Sequence, residues 1–189
     1  MKRCPWAGTT NDLMISYHDK EWGRPVHDER MLFEFLILEG QQAGLSWSTI
    51  LNKRENYREA FENFDYNKLV SFSDAKLLEL KENEGIIRNC LKIKSVINNA
   101  RQFLKVQKEF GSFDQYIWSF VEFKPIQNSF SQQNELPAST ELSIKISKDL
   151  KKRKFNFIGP TIIYAFMQAT GMVNDHLISC FCHDEVKNL

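Results

Sequence analysis

Two side chains that bind soft metal ions lie close together near the C-terminus, in the stretch VNDHLISC. His176 and Cys180 are four positions apart, and residues with this spacing share one face of a helix. A tetrahedral zinc site needs two more ligands, and the N-terminal segment offers Cys4 and His18. The alternative is that His176 is a hydrogen-bonded core residue and that the cysteines are small buried hydrophobic groups.

A carboxylate is embedded among apolar residues in the stretch LFEFLILEGQQAGLSW. On a helix, Glu39 falls on one row with Met31, Phe35 and Ala43, so we expect it to be buried. Burying an unpaired carboxylate is costly. Glu39 therefore either accepts hydrogen bonds from backbone amides or capping groups, or it receives a ligand that donates hydrogen bonds or carries positive charge.

Four aromatic residues cluster near these elements in the sequence: Trp6, Tyr17, Trp22 and Trp47. Most tryptophans are simply part of a core. A carboxylate beside several electron-rich rings is, however, the environment that a flat cationic ligand prefers. The combination indicates a ligand pocket rather than ordinary packing.

A glycine-containing turn joins two helical patterns in DLKKRKFNFIGPTIIYAFMQATG. A helix that begins at Pro160 or Thr161, directly after Gly159, exposes free backbone N–H groups that attract anions. The preceding run KKRK adds positive charge, although such runs are more often a solvated face. The order of helix, turn and helix favours a helix-hairpin-helix unit that holds a DNA phosphate.

Helices must position these residues, because helical periodicity dominates the chain. Two helical stretches between residues 28 and 64 flank the turn QQAGLS, where Gly44 ends the first helix and Ser46 caps the second. Strand alternation is nearly absent, so the sequence predicts an all-α protein. The polar segment of residues 124 to 140 is predicted to be irregular. One buried helical face is predicted from Ile93, Val96, Ile97, Ala100, Phe103 and Leu104.

Composition limits the classes of protein that remain. The length of 189 residues suits one domain, and the net charge of +1 excludes a strongly basic nucleic-acid binder but not a local basic patch. No apolar run approaches the length of a membrane span, and the first residues lack the apolar core of a signal peptide. We therefore expect a cytoplasmic protein whose four cysteines are thiols or metal ligands.

Several stretches together resemble the 3-methyladenine DNA glycosylase I family. They are RCPWA, YHDKEWG, FEFLILEGQQAGLSW, LNKRENYREAF, GIIRN and FNFIGPTIIYAFMQATGMVNDH, with the later Cys180, and the match runs from Arg3 to about Cys182. The resemblance implies an all-α, helix-hairpin-helix glycosylase-like fold. Residues 1–189 would form a single domain of two helical lobes, with the hairpin at about residues 140–172.

The resemblance also implies a structural zinc ion that joins the N- and C-terminal segments. Its ligand positions match Cys4, His18, His176 and Cys180 one by one. The ion would fasten two remote parts of the chain and would take no part in the reaction.

The resemblance assigns roles to the remaining candidates. Glu39 would be the catalytic residue, accepting hydrogen bonds from the amino edge of the base and favouring its positive charge. Tyr17 would add a contact and Trp47 would stack on the base, with Trp22 and Trp6 as supporting walls. Residues that would contact the DNA are Gln42 and Leu45, which would fill the gap in the duplex, and Gly159, Thr161, Lys152 and Lys154.

The implied activity is monofunctional excision of 3-methyladenine from double-stranded DNA by a monomer, with the free base as product and no membrane partner. Many relatives in the wider superfamily carry a catalytic Asp where this chain has Asn174, and no Lys occupies the position of a lyase nucleophile. Broader specificity that includes 3-methylguanine is a neighbouring alternative. The alternative from another class is a zinc-stabilised helix-hairpin-helix DNA-binding module without activity.

Overall fold

The computed structural model describes residues 1–189 and contains ten α-helices and one two-stranded sheet. The helices are α1 (Asp12–Lys20), α2 (Glu29–Gln42), α3 (Trp47–Ala60), α4 (Tyr66–Leu69), α5 (Asp74–Glu82), α6 (Cys90–Phe110), α7 (Phe113–Trp118), α8 (Glu141–Lys152), α9 (Pro160–Ala169) and α10 (Phe181–Lys187). The strands are β1 (Ile126–Gln127) and β2 (Val173–Asn174). Short 3-10 turns occur at Pro5–Ala7, Glu62–Phe64, Ser119–Val121 and Gln133–Glu135.

The predicted helix pair around QQAGLS is confirmed. Asp28 caps α2 by accepting a hydrogen bond from the backbone N–H of Met31 at 2.8 Å, and Ser46 caps α3 by accepting one from Thr49 at 3.2 Å. Gly44 has a φ of +77°, a left-handed conformation that glycine adopts without steric cost. Local capping chemistry thus fixes both ends of the turn.

The longest helix, α6, has 21 residues and lies at the centre of the packing. Of its predicted apolar face, five residues are buried and Leu104 is half-buried. Helices α2, α4, α5 and α7 pack against it. The apolar core is one contiguous cluster of 44 buried residues. A division into two lobes stays a prediction.

The segment of residues 124–140 is mostly irregular, as predicted, but it also contributes the strand that the sequence does not indicate. Strand β1 pairs in parallel with β2, in the register Ile126 with Val173 and Gln127 with Asn174. The fold is therefore mostly helical rather than entirely so. The pairing ties this segment to the chain just after α9.

Helices α8 and α9 pack against each other and are joined by the turn of residues 153–159. That they form a helix-hairpin-helix unit stays a prediction. Thr140 caps α8, and α9 begins at Pro160 directly after Gly159. The hydroxyl of Ser147 donates to the carbonyl of Ile158 at 2.6 Å, which fixes the turn against α8. None of the helices combines the length and the apolar character needed to cross a lipid bilayer.

The end of α9 meets the chain between α1 and α2 at very short range. Gly171 has a φ of +69°, and a Cβ atom there would overlap the backbone of Arg24 and Pro25. The N–H of Gly23 donates to the carbonyl of Gln168, and the N–H of Val26 donates to that of Thr170, both at 3.0 Å. Only glycine permits this approach.

We predict that Gly171→Ala destabilises the protein far more than Gly111→Ala. Gly111 also has a positive φ, but nothing lies within 4 Å of the position of its Cβ. The control should cost about 1 to 3 kcal/mol from backbone strain alone, whereas Gly171→Ala adds a backbone clash. Urea unfolding of both variants measures the difference, and equal losses would contradict the close approach.

Candidate active site

A cavity of about 300 Å³ opens between α1, α2, the start of α3 and α9. Its volume lies at the lower end of the range of small-molecule pockets. The cavity brings together Glu39, Gln42 and all four aromatic residues singled out in the sequence. Its full lining is Trp6, Met14, Tyr17, Trp22, Glu39, Gln42, Trp47, Gln133, Leu136, Ala165 and Gln168.

Glu39 lies in the last turns of α2 with only 4% of its surface exposed, as predicted. Its Oε2 atom has no hydrogen-bond partner. Burial raises the pKa of Glu39 to about 8, and no neighbouring charge contributes to this shift. Of the two interpretations left open by the sequence, the geometry favours a carboxyl group that is free to receive a ligand.

Trp47 supplies a matching donor. Its indole Nε1 is the other buried side-chain polar atom in the molecule without a partner. The ring centroids of Trp47 and Tyr17 are 5.2 Å apart with an interplanar angle of 46°. An unpaired acceptor and an unpaired donor therefore line the same cavity, and both are costly unless a ligand satisfies them.

Trp6 and Trp22 form the wall of the cavity that faces the chain termini. Their ring centroids are 4.9 Å apart in an edge-on arrangement. Trp22 also lies edge-on against His176 at 4.7 Å, and Trp6 against His18 at 5.2 Å. This wall is thus shared with the cysteine and histidine cluster described below.

Five lining residues were not predicted from the sequence. Met14 lies one helical turn before Tyr17 on α1, and Ala165 and Gln168 continue the face of α9 that begins at Thr161, so helical spacing could have identified them. Gln133 and Leu136 come from the irregular segment of residues 124–140. No local pattern indicates that this segment returns to α2.

A buried lysine side chain, which the sequence does not indicate, fixes the turn between α2 and α3. Lys92, on α6, is 6% exposed, and its Nζ donates to the carbonyls of Gln41 and Ala43, each at 2.7 Å. These carbonyls belong to the C-terminal end of α2, where a positive charge is favourable. The contact fixes the backbone beside Gln42, while Leu45 remains 40% exposed at the tip.

A smaller cavity of about 220 Å³ brings the turn next to the start of α9. It shares Glu39, Gln42 and Ala165 with the main cavity and adds Thr161 and Leu45. Of the predicted DNA-contacting residues, Gln42, Leu45 and Thr161 therefore lie together. At Gly159, the N-cap of α9, nothing lies within 4 Å of the position that a Cβ atom would take.

The two lysines predicted to contact DNA lie at the end of α8 and in the turn after it. Lys152 is exposed and lines a groove on α8 with Lys145 and Lys148, and no residue of that groove lines the main cavity. Lys154 is exposed beyond the end of α8, with a φ of +68°. Their role in DNA contact stays a prediction.

The predicted metal ligands converge in a buried cluster at the chain ends. The ligand atoms of Cys4, His18, His176 and Cys180 all lie within 4.8 Å of one another. The Sγ atom of Cys180 is 3.4 Å from Nε2 of His18 and 3.6 Å from Nδ1 of His176, and Sγ of Cys4 is 3.7 Å from the same Nδ1. Bonds of about 2.0 to 2.3 Å to a tetrahedral zinc ion imply separations of this size.

The second ring nitrogen of each histidine is also paired. Nδ1 of His18 lies 2.8 Å from a carboxylate oxygen of Asp19, and Nε2 of His176 lies 3.0 Å from the carbonyl of Trp22. Such partners fix the ring orientation of metal-binding histidines. The buried donor set of two thiols and two imidazoles could therefore hold a metal ion.

One sequence expectation about this cluster is wrong. His176 and Cys180 do not lie on a helix, because residues 175–180 form a loop and turn between β2 and α10. The turn brings the two side chains together without helical geometry. Cys182 lies outside the four-residue set, with its Sγ atom 4.0 Å from Nδ1 of His18.

The side chain of Asn174 makes hydrogen bonds to other residues of the protein. It is fully buried, and its side-chain amide donates to the side chain of Gln127 at 2.9 Å and to the carbonyl of His183 at 3.0 Å. These bonds connect the two strands and α10. Asn174 is also absent from the lining of the main cavity.

The comparisons with known proteins agree on one family. A family model described as methyladenine glycosylase matches residues 6–183. A DNA-3-methyladenine glycosylase of Haemophilus influenzae is 48% identical over 180 residues, which cover 95% of this chain and 97% of that relative.

Solved structures give the same result for the fold. The crystal structure of a 3-methyladenine DNA glycosylase I superposes with a TM-score of 0.93 at 47% identity, covering 96% of this chain and all of that one. A variant of 3-methyladenine DNA glycosylase I in complex with 3-methyladenine superposes with a TM-score of 0.93 at 34% identity, covering 97% and 98% of the two chains.

The raised pKa of Glu39 predicts how stability depends on pH. A carboxyl group whose pKa rises from 4.5 to about 8 on folding binds its proton more tightly in the folded state than in the unfolded state. Its contribution to the free energy of unfolding is therefore complete below pH 4.5 and is lost as pH rises to 8. The loss amounts to roughly 3 to 5 kcal/mol.

We expect the free energy of unfolding of Glu39→Gln, relative to that of the unmodified protein, to increase steadily between pH 5 and pH 8. Denaturant unfolding at several pH values measures this difference, in which the contributions of other groups cancel. Glu59→Gln, an exposed position on α3, is the matched control. A difference that does not vary with pH would show that Glu39 ionises normally in the folded protein.

Proposed function

Because this chain belongs to the methyladenine glycosylase family, we propose that it is a monofunctional DNA glycosylase that excises 3-methyladenine from alkylated DNA. The observation that carries the proposal is the unpaired, buried carboxyl group of Glu39 in an aromatic cavity. The activity belongs to base excision repair. We also expect the protein to act as a monomer.

The substrate accounts for the polarity of the cavity. Methylation at N3 makes the adenine of the nucleotide cationic, and a buried carboxylate surrounded by electron-rich rings favours a flat cation. Burial raises the pKa of Glu39 to about 8 and so favours its protonated form in the free protein, whereas an incoming cation would favour the carboxylate. Glu39 then accepts hydrogen bonds from the amino edge of the base, while Trp47 stacks on it and Tyr17 adds a contact. Trp6 and Trp22 form the supporting wall.

The reaction needs little acid catalysis. As the glycosidic bond breaks, its electron pair goes to the base, which leaves as neutral 3-methyladenine. Water adds to the sugar carbon and releases one proton to the solvent. The positive charge passes from the base towards the sugar, and the carboxylate of Glu39 lies beside it throughout. No buried lysine amine lines the cavity, so we expect no Schiff base and no lyase activity.

Duplex DNA must open before the base can enter the cavity, at a cost of a few kcal/mol. Gln42 and Leu45 lie on the turn beside the cavity entrance, and we propose that they occupy the gap left by the flipped nucleotide. The backbone at Gly159 and Thr161 would bind a phosphate at the start of α9, as in a helix-hairpin-helix unit. Lys152 and Lys154 would add sequence-independent attraction to the DNA backbone.

We further propose that Cys4, His18, His176 and Cys180 hold a structural zinc ion. The ion would fasten the N-terminal segment to the loop after β2 and thereby fix the wall formed by Trp6 and Trp22. It would lie behind this wall, away from the base.

Replacing Glu39 tests the glycosylase directly. We expect Glu39→Gln to lower excision of 3-methyladenine by about two orders of magnitude, because the charge that favours the cation is lost. Release of the base from alkylated duplex DNA measures the change, with Glu59→Gln as the control. The alternative, a DNA-binding module without activity, predicts that the unmodified protein releases no base and that Glu39→Gln leaves the affinity for DNA unchanged.

Replacing one thiol tests the zinc ion. We expect Cys180→Ser to lower the zinc content, measured by elemental analysis, and to reduce the melting temperature, while the folded fraction keeps some activity. Cys90→Ser, at the half-buried N-terminus of α6, is the matched control and should retain its zinc. A folded, metal-free variant without any turnover would contradict a purely structural ion.

A further inference from the structure

Another buried carboxylate contacts a residue of the cavity lining, and the proposed reaction does not use it. Asp175 is 1% exposed and forms no ion pair with a lysine or arginine. It accepts hydrogen bonds from the hydroxyl of Tyr164 at 2.6 Å, from Nε2 of Gln168 at 2.8 Å and from Nδ2 of Asn128 at 2.6 Å. Three donors compensate for the burial of the carboxylate.

The contact with Asp175 fixes the orientation of the Gln168 amide. A carboxylate accepts hydrogen bonds but donates none, so Gln168 must direct its NH2 group towards Asp175. The carbonyl oxygen Oε1 then lies on the other side of the amide. The backbone of Gln168 is also fixed, because its carbonyl accepts a hydrogen bond from Gly23 at 3.0 Å.

Gln168 is half-buried and lines the same cavity as Glu39. We propose that Gln168, oriented by Asp175, presents Oε1 to the bound base and selects purines that carry an exocyclic amino group at position 6. This inference rests on the proposed function. Adenine presents amino hydrogens at that position, whereas guanine presents a carbonyl oxygen, which would face a second oxygen without a proton between them.

In this arrangement Asp175 is a positioning residue, because it acts on the base only through Gln168. Its replacement by Asn removes the constraint, since an Asn side chain offers both a donor and an acceptor and allows the Gln168 amide to turn over. Tyr164→Phe is the matched control. It removes a different donor from Asp175 and leaves the contact with Gln168 intact.

The test compares kcat/KM for release of 3-methyladenine and of 3-methylguanine from defined duplexes. Gln168→Met keeps the length of the side chain and removes the acceptor. We expect it to lower the preference for 3-methyladenine by about tenfold or more, because the site loses one hydrogen bond to the amino group and one repulsive contact with the keto group. Asp175→Asn should lower the preference in the same direction, and Tyr164→Phe should leave it unchanged.

The double variant separates positioning from a general loss of structure. If Asp175 acts through Gln168, Asp175→Asn causes no further loss of preference once residue 168 is Met. Independent losses that add together would overturn the proposal. So would an unchanged preference in Gln168→Met, or an unmodified protein that releases both bases with equal kcat/KM.

Binding of free bases gives a second measurement that does not depend on turnover. Three tryptophans line the cavity, so quenching of their fluorescence reports binding of 3-methyladenine and of 3-methylpurine, which lacks the amino group. We expect the unmodified protein to prefer 3-methyladenine and Gln168→Met to show a smaller preference, because Glu39 still contacts the amino edge. A preference of the same size in both proteins would overturn the inference. An unmodified protein that releases no methylated base from DNA refutes the proposed function instead.

Discussion

The structure depends on keeping the carboxyl group of Glu39 away from water without giving it a partner. Such burial is unfavourable, so the surrounding elements must hold α2 in place against the tendency of the group to become solvated. The residues on either side of Glu39 in α2 are almost fully buried and anchor the helix in the core. A site that is destabilised in the free protein gains the most when a complementary ligand enters it.

The walls around this group come from parts of the chain that are far apart in sequence. Tyr17 lies on α1, Trp22 follows α1, Trp47 begins α3, and Gln168 lies in the last turn of α9. The Cys and His cluster connects the first of these elements to the loop after β2, and Trp22 contacts His176 directly. A cluster that contributes no lining residue therefore still controls the shape of the cavity, since the aromatic wall rests on it.

The sequence was sufficient where the determinants are local. The ends of α2 and α3 follow from Asp28, Gly44 and Ser46, because capping and turn chemistry involve neighbouring residues. The burial of Glu39 follows from its apolar neighbours on one helix. Residue types indicate the four aromatic residues and the Cys and His set, and the resemblance to the family assigns their roles. The cavity and the cluster bring the same residues together.

The features that could not be predicted depend on long-range contacts. Lys92 lies on an amphipathic helix, where a lysine is normally exposed, and only the tertiary fold brings it to the end of α2. Leu136 belongs to a polar segment without periodicity, yet it returns to the cavity. The spacing of His176 and Cys180 suggested a helix, but a tight turn satisfies the same spacing.

Glu39 and Asp175 show that burial alone does not identify a ligand-binding carboxylate. The two are buried to nearly the same degree, at 4% and 1% exposure. Asp175 has three donors around it and so has little capacity left for a ligand, whereas Oε2 of Glu39 has none. The first carboxylate therefore orders the protein, and the second is completed only by what binds. Since Gln168 contacts Asp175 and lines the cavity of Glu39, the ordered carboxylate also determines which atoms the bound base meets.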